Sequence, residues 1–368
     1  MKILHLNAGN ESGGGMYHIL SLLNELNREE FYLGVFEKGE MYDRARSLDI
    51  QTVLFNQSSR FDFSILKEII HFIRLNSIDI IHTHGARANC YGAMIRSFVD
   101  VKWMVTVHSD PRDDFMGRGL SGKLYTFLNL KALKQADHLL AISDRFKQIL
   151  LDRSIPDEKI TTILNGIDFD KELEAPLTRE ELGVKDGDFT IIMVARLEAV
   201  KGHKVALKAV RNLIENHHTN IKILLIGDGS EREALIKYSE EHGISGHVEF
   251  LGHRNDVERI YPIADVAILT SYSESFPLVL LEAARAGVPV MTTDVGGVDQ
   301  LIPDDSYGWI IPVEDSDQLT ESLESAMRKK KEGTLILMGE KIKKYSKRHF
   351  SVEQFANNVY NVYLKLGK

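Results

Sequence analysis

Short apolar runs, each closed by a polar or glycine-bearing segment, recur along the whole chain. In the first half they fall at residues 2–8, 31–36, 52–55, 78–82, 103–107, 138–142 and 161–164. Runs this short and rich in Val, Ile and Leu predict strands buried on both faces. Helical spacing of apolar residues separates most of them, notably from the glycines at 13–15 to about residue 27, over 63–75 and over 87–98. That alternation predicts a mostly parallel, doubly wound sheet. From 165 to 188 the chain turns polar, with Pro176 and repeated charges, and reads as a linker. A second series follows, with strands predicted at 190–195, 221–226, 248–251, 266–269, 288–292 and 309–311. Its helices are predicted to open near Gly202, Ser230, Asp256, Pro277 and Asp315. Two such series imply an α/β chain of two Rossmann-like domains, residues 1–166 and 167–351, facing each other across a cleft. The last segment, 352–366, has Phe355, Val359, Val362, Tyr363 and Leu366 at helical spacing and needs an apolar surface to cover.

Composition narrows the classes of function. The 368 residues suit two domains of ordinary size, and 43% hydrophobic with 27% charged residues is the make-up of a soluble globular protein. A formal net charge of −8 argues against a general nucleic-acid binder. The single Cys90 excludes an internal disulfide and a cysteine-cluster metal site, and it fits a reducing compartment. No apolar run approaches the length of a membrane span, and the first strand runs at once into Asn7, Gly9 and Asn10, so no signal peptide is expected. A cytoplasmic protein is expected, with attachment to the inner membrane surface left open. Residues 115–134 bear on that: Phe115, Leu120, Leu124, Phe127 and Leu128 interleave with Arg118, Lys123, Lys131 and Lys134. An interfacial amphipathic helix would read so, and so would a helix packed on its own sheet. The late basic cluster, 328–331 and 341–348, reads as solvated helix faces.

Candidate chemistry concentrates at 274–282, E-S-F-P-L-V-L-L-E. A helix opening at Pro277 would leave Glu274 on the loop at a strand's carboxyl end and carry Glu282 about one and a half turns in. Two acceptors would then flank a helix N-terminus that favours an anion. A nucleotide sugar, with hydroxyls at two points and phosphate between, matches. Arg196 closes the strand at 190–195 and Lys201-Gly202 opens the next helix, so two cations would stand on the same sheet edge, able to neutralise a leaving diphosphate. In the first domain Gly13, Gly14 and Gly15 would let backbone approach a ligand, Gly14 and Gly15 toward the donor and Gly13 toward the acceptor. His84 and His108 are assigned to the acceptor side. With His82 they could converge on zinc, or line a polar cleft as hydrogen-bonding groups, the reading we adopt. The 117–124 run fails as a phosphate loop because Leu124 cannot ligate magnesium, and Gly227-Asp228-Gly229 reads as a plain turn.

Together these stretches resemble the retaining GT-B-fold glycosyltransferases with the E-x7-E motif, the family-4 type. The resemblance runs through the glycine loop, I-D-I-I-H-T-H-G at 78–85, A-D-H-L-L-A-I-S at 136–143, N-G-I-D at 165–168, A-R-L-E-A-V-K-G at 195–202 and E-S-F-P-L-V-L-L-E-A-A-R-A-G-V-P-V at 274–290. It implies that the second domain binds the nucleotide sugar. Glu282 would take the ribose hydroxyls, and Glu274 with the Phe276 backbone the sugar. Arg196, Lys201 and the N–H groups of Leu278 and Val279 would hold the diphosphate, with the base near His253 and Arg254. His108 would sit by the sugar, no metal or other cofactor would be needed, and the last helix would cover the first domain. Ser275 and Gln300 depart from the common glycine and glutamate of the family. The expected reaction is transfer from a nucleotide-diphosphate sugar, a UDP-sugar, to a lipid-linked or cell-envelope saccharide. The same fold also admits a sugar-nucleotide epimerase, a phosphorylase and a non-catalytic sugar-binding partner.

Overall fold

A computed structural model describes the chain except for residues 11, 12, 28, 60, 61, 109–118 and 368 and the side chains of 119–121, 123 and 124. The chain divides into two compact units, Met1–Asn165 with Val352–Lys368, and Gly166–Ser351.

The first unit is built on seven parallel strands: β1 Ile3–Asn7, β2 Phe31–Val35, β3 Thr52–Leu54, β4 Ile80–His84, β5 Lys102–Val107, β6 His138–Ala141 and β7 Ile160–Thr162. Their order is β3-β2-β1-β4-β5-β6-β7. Between them run α1 Gly14–Glu25, α2 Glu40–Ser47, α3 Ile65–Asn76, α4 Ala86–Ile95, α5 Gly119–Leu133 and α6 Asp144–Leu151. One face of the sheet is packed by α3, α4 and α6 through Ile69, Tyr91, Ile95 and Leu150 against Leu4, Leu6, Ile81 and Trp103. The other carries Ile19, Leu22 and Leu23 of α1 against Ile3, Leu33, Ile80 and Met104.

The second unit repeats the plan with β8 Phe189–Val194, β9 Ile221–Ile226, β10 Val248–Gly252, β11 Val266–Leu269, β12 Val290–Thr293 and β13 Gly308–Ile311, in the order β10-β9-β8-β11-β12-β13. Its helices are α7 His203–Glu215, α8 Arg232–Glu241, α9 Leu278–Arg285, α10 Val298–Leu301, α11 Ser316–Lys331 and α12 Leu335–Phe350. The final helix, α13 Val352–Leu366, returns to the first unit, where Phe355, Val359 and Tyr363 complete the face that α1 covers.

Three expectations need correction. The polar stretch after Asn165 is part of the second unit rather than a linker: Leu177, Leu182 and Val184 are buried, the Leu177 N–H donates to the Arg259 carbonyl at 3.0 Å, and Arg179 donates to the Asp188 carbonyl and Thr190 Oγ1. Its apolar residues are too widely spaced to show a period. Near Asp256 there is no α-helix but two short 3₁₀ turns, Val257–Arg259 and Tyr261–Ile263. Pro277 stands at the N-cap of α9, one residue before its first helical position. Of the 115–134 segment, residues 115–118 lie outside the described residues, as do Gly117 and Arg118 of the failed phosphate loop.

One close approach holds α9 in place from behind. A Cβ built on Gly339 of α12 would lie 2.0 Å from the carbonyl oxygen of Gly287, the residue that ends α9's turn with φ +78°. Gly→Ala inside a helix ordinarily stabilises by roughly 1 kcal/mol. Here the overlap outweighs it, and Gly339→Ala should cost about 1–3 kcal/mol as α12 is forced away. Urea unfolding followed by tryptophan fluorescence checks the sign: an unchanged or raised midpoint contradicts this packing.

Candidate functional site

In each sheet the strand order reverses once, between β1 and β4 and between β8 and β11. There the helices leaving two neighbouring strands go to opposite faces, and their N-termini part around a crevice at the carboxyl edge.

In the second unit the crevice is closed by an ion pair. Lys201, at the end of the 3₁₀ turn Ala199–Lys201 after β8, places Nζ 2.6 Å from Oε1 of Glu274 on the loop after β11. Both side chains are mostly buried, 18% and 13% exposed. The same carboxylate oxygen accepts from Ser271 Oγ at 2.6 Å, and the Ser271 carbonyl in turn accepts from Thr293 Oγ1 at 2.6 Å. Thr270 Oγ1 donates to the Gly202 carbonyl at 3.0 Å and the Tyr272 N–H to the Val200 carbonyl at 2.8 Å, stitching the two loops together. Gly202 is required here: at φ +67° its missing Cβ would lie 2.0 Å from the Thr270 carbonyl oxygen. Arg196 is exposed, and its guanidinium has no side-chain partner among the described residues.

Leu278 and Val279 are the first two residues of α9, so their N–H groups have no carbonyl within the helix to bond. The Phe276 ring packs on Phe350 at 5.4 Å between centroids, which anchors the loop before the helix. Glu282 is the fifth helical residue. Burial raises its carboxyl above its ordinary value, opposed by Arg285 and by Tyr261, whose one hydroxyl proton lies within reach of both Oε2 at 3.4 Å and the Val279 carbonyl at 3.0 Å. Arg285 donates to the Asp168 carbonyl at 2.9 Å and lies 3.5 Å from Glu258, so the N-G-I-D segment braces the foot of α9. At the end of β10, the Arg254 guanidinium is held by Asp256 through two bonds of 2.8 and 2.7 Å. The His253 N–H is already donated to Asp228 Oδ2 at 3.2 Å, which leaves carbonyls and the Arg254 N–H as the backbone groups there able to meet a base.

In the first unit the crevice is filled by imidazoles. His5, His82 and His84 are fully buried, and the register pairs His5 with His82 and Asn7 with His84, so the side-chain period of two puts all of them on the face that α1 and α13 cover. His108 follows β5 on that face, with its Nε2 3.1 Å from His84 Nδ1. His18 of α1 packs edge-on to His108 at 4.7 Å and bonds Asn165 Oδ1 through Nδ1 at 2.6 Å. His5, His82 and His84, or His18, His84 and His108, are close enough to share a metal ion. Gly13 caps α1, and a Cβ on Gly13 or Gly14 would meet nothing within 4 Å; Gly15 is the second residue of the helix.

The sequence pointed to Glu274, Glu282, Lys201 and Arg196, but not to the Lys201–Glu274 contact, and it missed Ser271, Thr293 and Tyr261. It also passed over His5, His18 and Tyr363. The signal that could have found His5 is a lone polar residue between Leu4 and Leu6 in a buried strand.

Burial keeps the imidazoles neutral. His5 and His18 are lowered to about 3, first by burial and then by their histidine neighbours, His108 to about 4 by burial, and His82 and His84 well below the ordinary 6.5. A base whose folded pKa is depressed gives stability that is whole above its unfolded pKa and is lost as pH falls toward the folded value. Each such histidine adds up to about 1.4 kcal/mol per pH unit to the slope. Stability should therefore drop steeply between pH 6.5 and 5, before most carboxylates titrate. Urea midpoints across that range check it, and a flat profile contradicts it.

Comparison with known proteins agrees with the two-unit fold. Residues 175–349 match the family model described as glycosyl transferases group 1, and residues 12–171 the one described as glycosyltransferase family 4. The chain is 27% identical over 289 residues to the UDP-Gal:alpha-D-GlcNAc-diphosphoundecaprenol alpha-1,3-galactosyltransferase of Escherichia coli, covering 76% of this chain and 74% of that one. It is 25% identical over 261 residues to the N-acetyl-alpha-D-glucosaminyl L-malate synthase of Bacillus anthracis, covering 70% and 67%. In fold it is similar to Anabaena HepE in complex with UDP, with a TM-score of 0.85 at 18% identity over 99% of this chain and 100% of that one. The apo lipopolysaccharide outer core galactosyltransferase WaaB gives 0.72 at 20% identity over 99% and 100%.

Proposed function

Because the chain belongs to the GT-B glycosyltransferases of the family-4 type, we propose that it transfers a sugar from a UDP-sugar to a lipid-linked or cell-envelope saccharide, with retention at the anomeric carbon. The observation that carries this reading is the Lys201–Glu274 pair, set at the reversal point of the second sheet beside the first N–H groups of α9. Without donor, each member neutralises the other. A diphosphate arriving at the helix N-terminus would draw Lys201 to itself, joined by Arg196 and the Leu278 and Val279 N–H groups. Glu274 would then be free to accept from the hydroxyls of the transferred sugar, beside the Phe276 backbone, while Glu282 takes the ribose. The base would lie against the His253–Arg254 backbone.

In the reaction the bond from the anomeric carbon to the diphosphate breaks and the bond to the acceptor oxygen forms on the same face. The acceptor's proton passes to the departing phosphate oxygen. Charge growing on that phosphate would be met by Lys201, Arg196 and a helix N-terminus, which is the stabilisation that matters most in such a step. These groups supply what a metal would, so we infer that none is needed. In the first unit Gly13 and His108 are proposed to serve the acceptor and sugar, and Gly14 and Gly15 to approach the donor; His84, expected on the acceptor side, is fully buried with both ring nitrogens bonded to His5 and His108, so it acts through His108. The acceptor assignment draws on the E. coli relative, whose name carries a diphosphoundecaprenol substrate.

Separating the carboxylates tests the placement. Glu282→Gln should weaken UDP binding in calorimetry by about tenfold, the scale of one charge-assisted hydrogen bond. Glu274→Gln should leave UDP affinity within about twofold and lower kcat by about a hundredfold with the full donor, the scale of one electrostatic or positioning contact. The opposite pattern reverses the donor along the motif. Interconversion of UDP-sugars without any acceptor would favour the epimerase reading.

No helix among the described residues is long and apolar enough to cross a membrane. We place the protein in the cytoplasm, held at the inner membrane face by α5, where Phe127 is 62% and Leu128 41% exposed beside exposed Lys131 and Lys134. An apolar pair flanked by lysines is suited to an anionic bilayer surface. Flotation with anionic vesicles at low salt should carry the wild type and leave Phe127→Glu behind. Equal flotation of both, or of neither, removes α5 as the anchor.

A further inference from the structure

The buried histidines of the first unit form one continuous hydrogen-bonded chain. Thr106 Oγ1 lies 2.7 Å from His82 Nε2, and His82 Nδ1 lies 2.7 Å from the Tyr363 hydroxyl. That hydroxyl lies 3.1 Å from His5 Nε2, and His5 Nδ1 lies 3.0 Å from His84 Nε2. His84 Nδ1 then meets His108 Nε2 at 3.1 Å. A neutral imidazole has one N–H and one bare nitrogen, so each ring passes the direction of the chain on to the next. Tyr363 has one proton for two neighbours. If both His5 and His82 donated to it, its own O–H would have no acceptor, and the residue is fully buried. Only two directions therefore give every contact one proton.

The far end chooses between them. Thr106 is 1% exposed, and His82 Nε2 is the one recorded partner of its hydroxyl among the described residues. If the chain ran toward Thr106, His82 would donate to Oγ1 and the threonine proton would be buried without an acceptor, which native interiors avoid. Running the other way satisfies every donor: Thr106 O–H to His82 Nε2, His82 Nδ1–H to Tyr363, Tyr363 O–H to His5 Nε2, His5 Nδ1–H to His84 Nε2, and His84 Nδ1–H to His108 Nε2. His108, accepting through Nε2, must carry its proton on Nδ1.

We infer that this chain, completed by Tyr363 of α13, locks His108 as an Nδ1–H tautomer, so that it meets its ligand as a hydrogen-bond donor and not as a base. Tyr363, His5, His82 and His84 are thus positioning residues. The role for His108 rests on the glycosyl-transfer reading above. There it would donate to an oxygen of the sugar, leaving the acceptor's proton to the departing phosphate.

The tautomers are read directly from long-range ¹H–¹⁵N correlation spectra of ligand-free protein labelled with ¹⁵N-histidine, near pH 7.5. The His108 signals are identified by their loss in His108→Gln. The expected pattern is a protonated Nδ1 and a bare Nε2 for His108 as for His5, His82 and His84. A proton on His108 Nε2 overturns the inference. So does zinc bound one-to-one in the purified protein by mass spectrometry, because the ring nitrogens would then face a metal. Folded Tyr363→Phe should lose the lock, with His108 moving toward Nε2–H, and kcat should fall several-fold at unchanged UDP affinity. An unchanged His108 tautomer in that variant removes Tyr363 from the device. Should the variant not fold, the wild-type spectrum still decides. If His108 is Nδ1–H and no UDP-sugar is turned over with any acceptor, the tautomer stands and the glycosyl-transfer reading falls.

Discussion

A parallel sheet can deliver two loops to the same point only where its strand order reverses, and the candidate chemistry of both units depends on that constraint. β8 sends its chain to α7 on one face and β11 sends its chain to α9 on the other, so the loops carrying Lys201 and Glu274 meet over the gap between neighbouring strands. The contact joins residues 73 positions apart, and no local pattern encodes it. What makes it reproducible is the stitching around it: the Thr270 hydroxyl to the Gly202 carbonyl, the Tyr272 N–H to the Val200 carbonyl and the Thr293 hydroxyl to the Ser271 carbonyl. The two loops are thereby held in one arrangement before any ligand arrives, so that binding would have to turn the lysine side chain but not order the loops that carry the pair.

The two crevices solve opposite electrostatic problems. In the second unit charge is retained at partial burial, as a pair in Lys201 and Glu274 and as a carboxyl pushed toward neutrality in Glu282. Burial raises the Glu282 carboxyl even with Arg285 and the Tyr261 hydroxyl beside it, so the group opposes stability on balance, and the proposed contact with ribose would account for it better than a role in the fold. In the first unit the corresponding space holds no recorded ion pair among the described residues, and its imidazoles satisfy one another as neutral groups. That network is directional, and a directional network specifies one arrangement where an apolar filling would only exclude water.

Much of this was legible in the sequence because parallel strands buried on both faces leave a plain record. The runs at 221–226 and 266–269 are the strands the structure has, and others differ at their ends by one or two residues. The 274–282 stretch was legible as a loop entering a helix because Pro277 punctuates it. Failures came where the deciding partner is far away or the apolar spacing is irregular. Leu177, Leu182 and Val184 are buried by tertiary contact alone, so the segment passed for a linker. β4 was expected to end at His82, yet it continues to His84, because two buried histidines look polar until the neighbouring rings are known. Tyr363 read as one apolar position of a helix, and its hydroxyl is the part that matters.

The link from His82 to Tyr363 spans 281 positions, and it raises the question of how the first unit closes at all. Joining the ends of so long a flexible loop costs entropy that grows with its length, though only slowly. The second unit removes most of that cost by folding. Ile167 pairs with Ser351 in an isolated bridge, the Ile167 N–H donates to the Phe350 carbonyl at 3.0 Å, and a Cβ on Gly166 would lie 2.5 Å from the Ser351 carbonyl oxygen. Once Gly166–Ser351 is folded, its two ends are in contact, and Val352 leaves from beside the point where Asn165 enters. To the first unit the intervening domain then behaves as a short, stiff connection, and α13 is delivered at high effective concentration. A helix made last can therefore supply the hydroxyl that sets the direction of a polar chain whose other members are all made before residue 110.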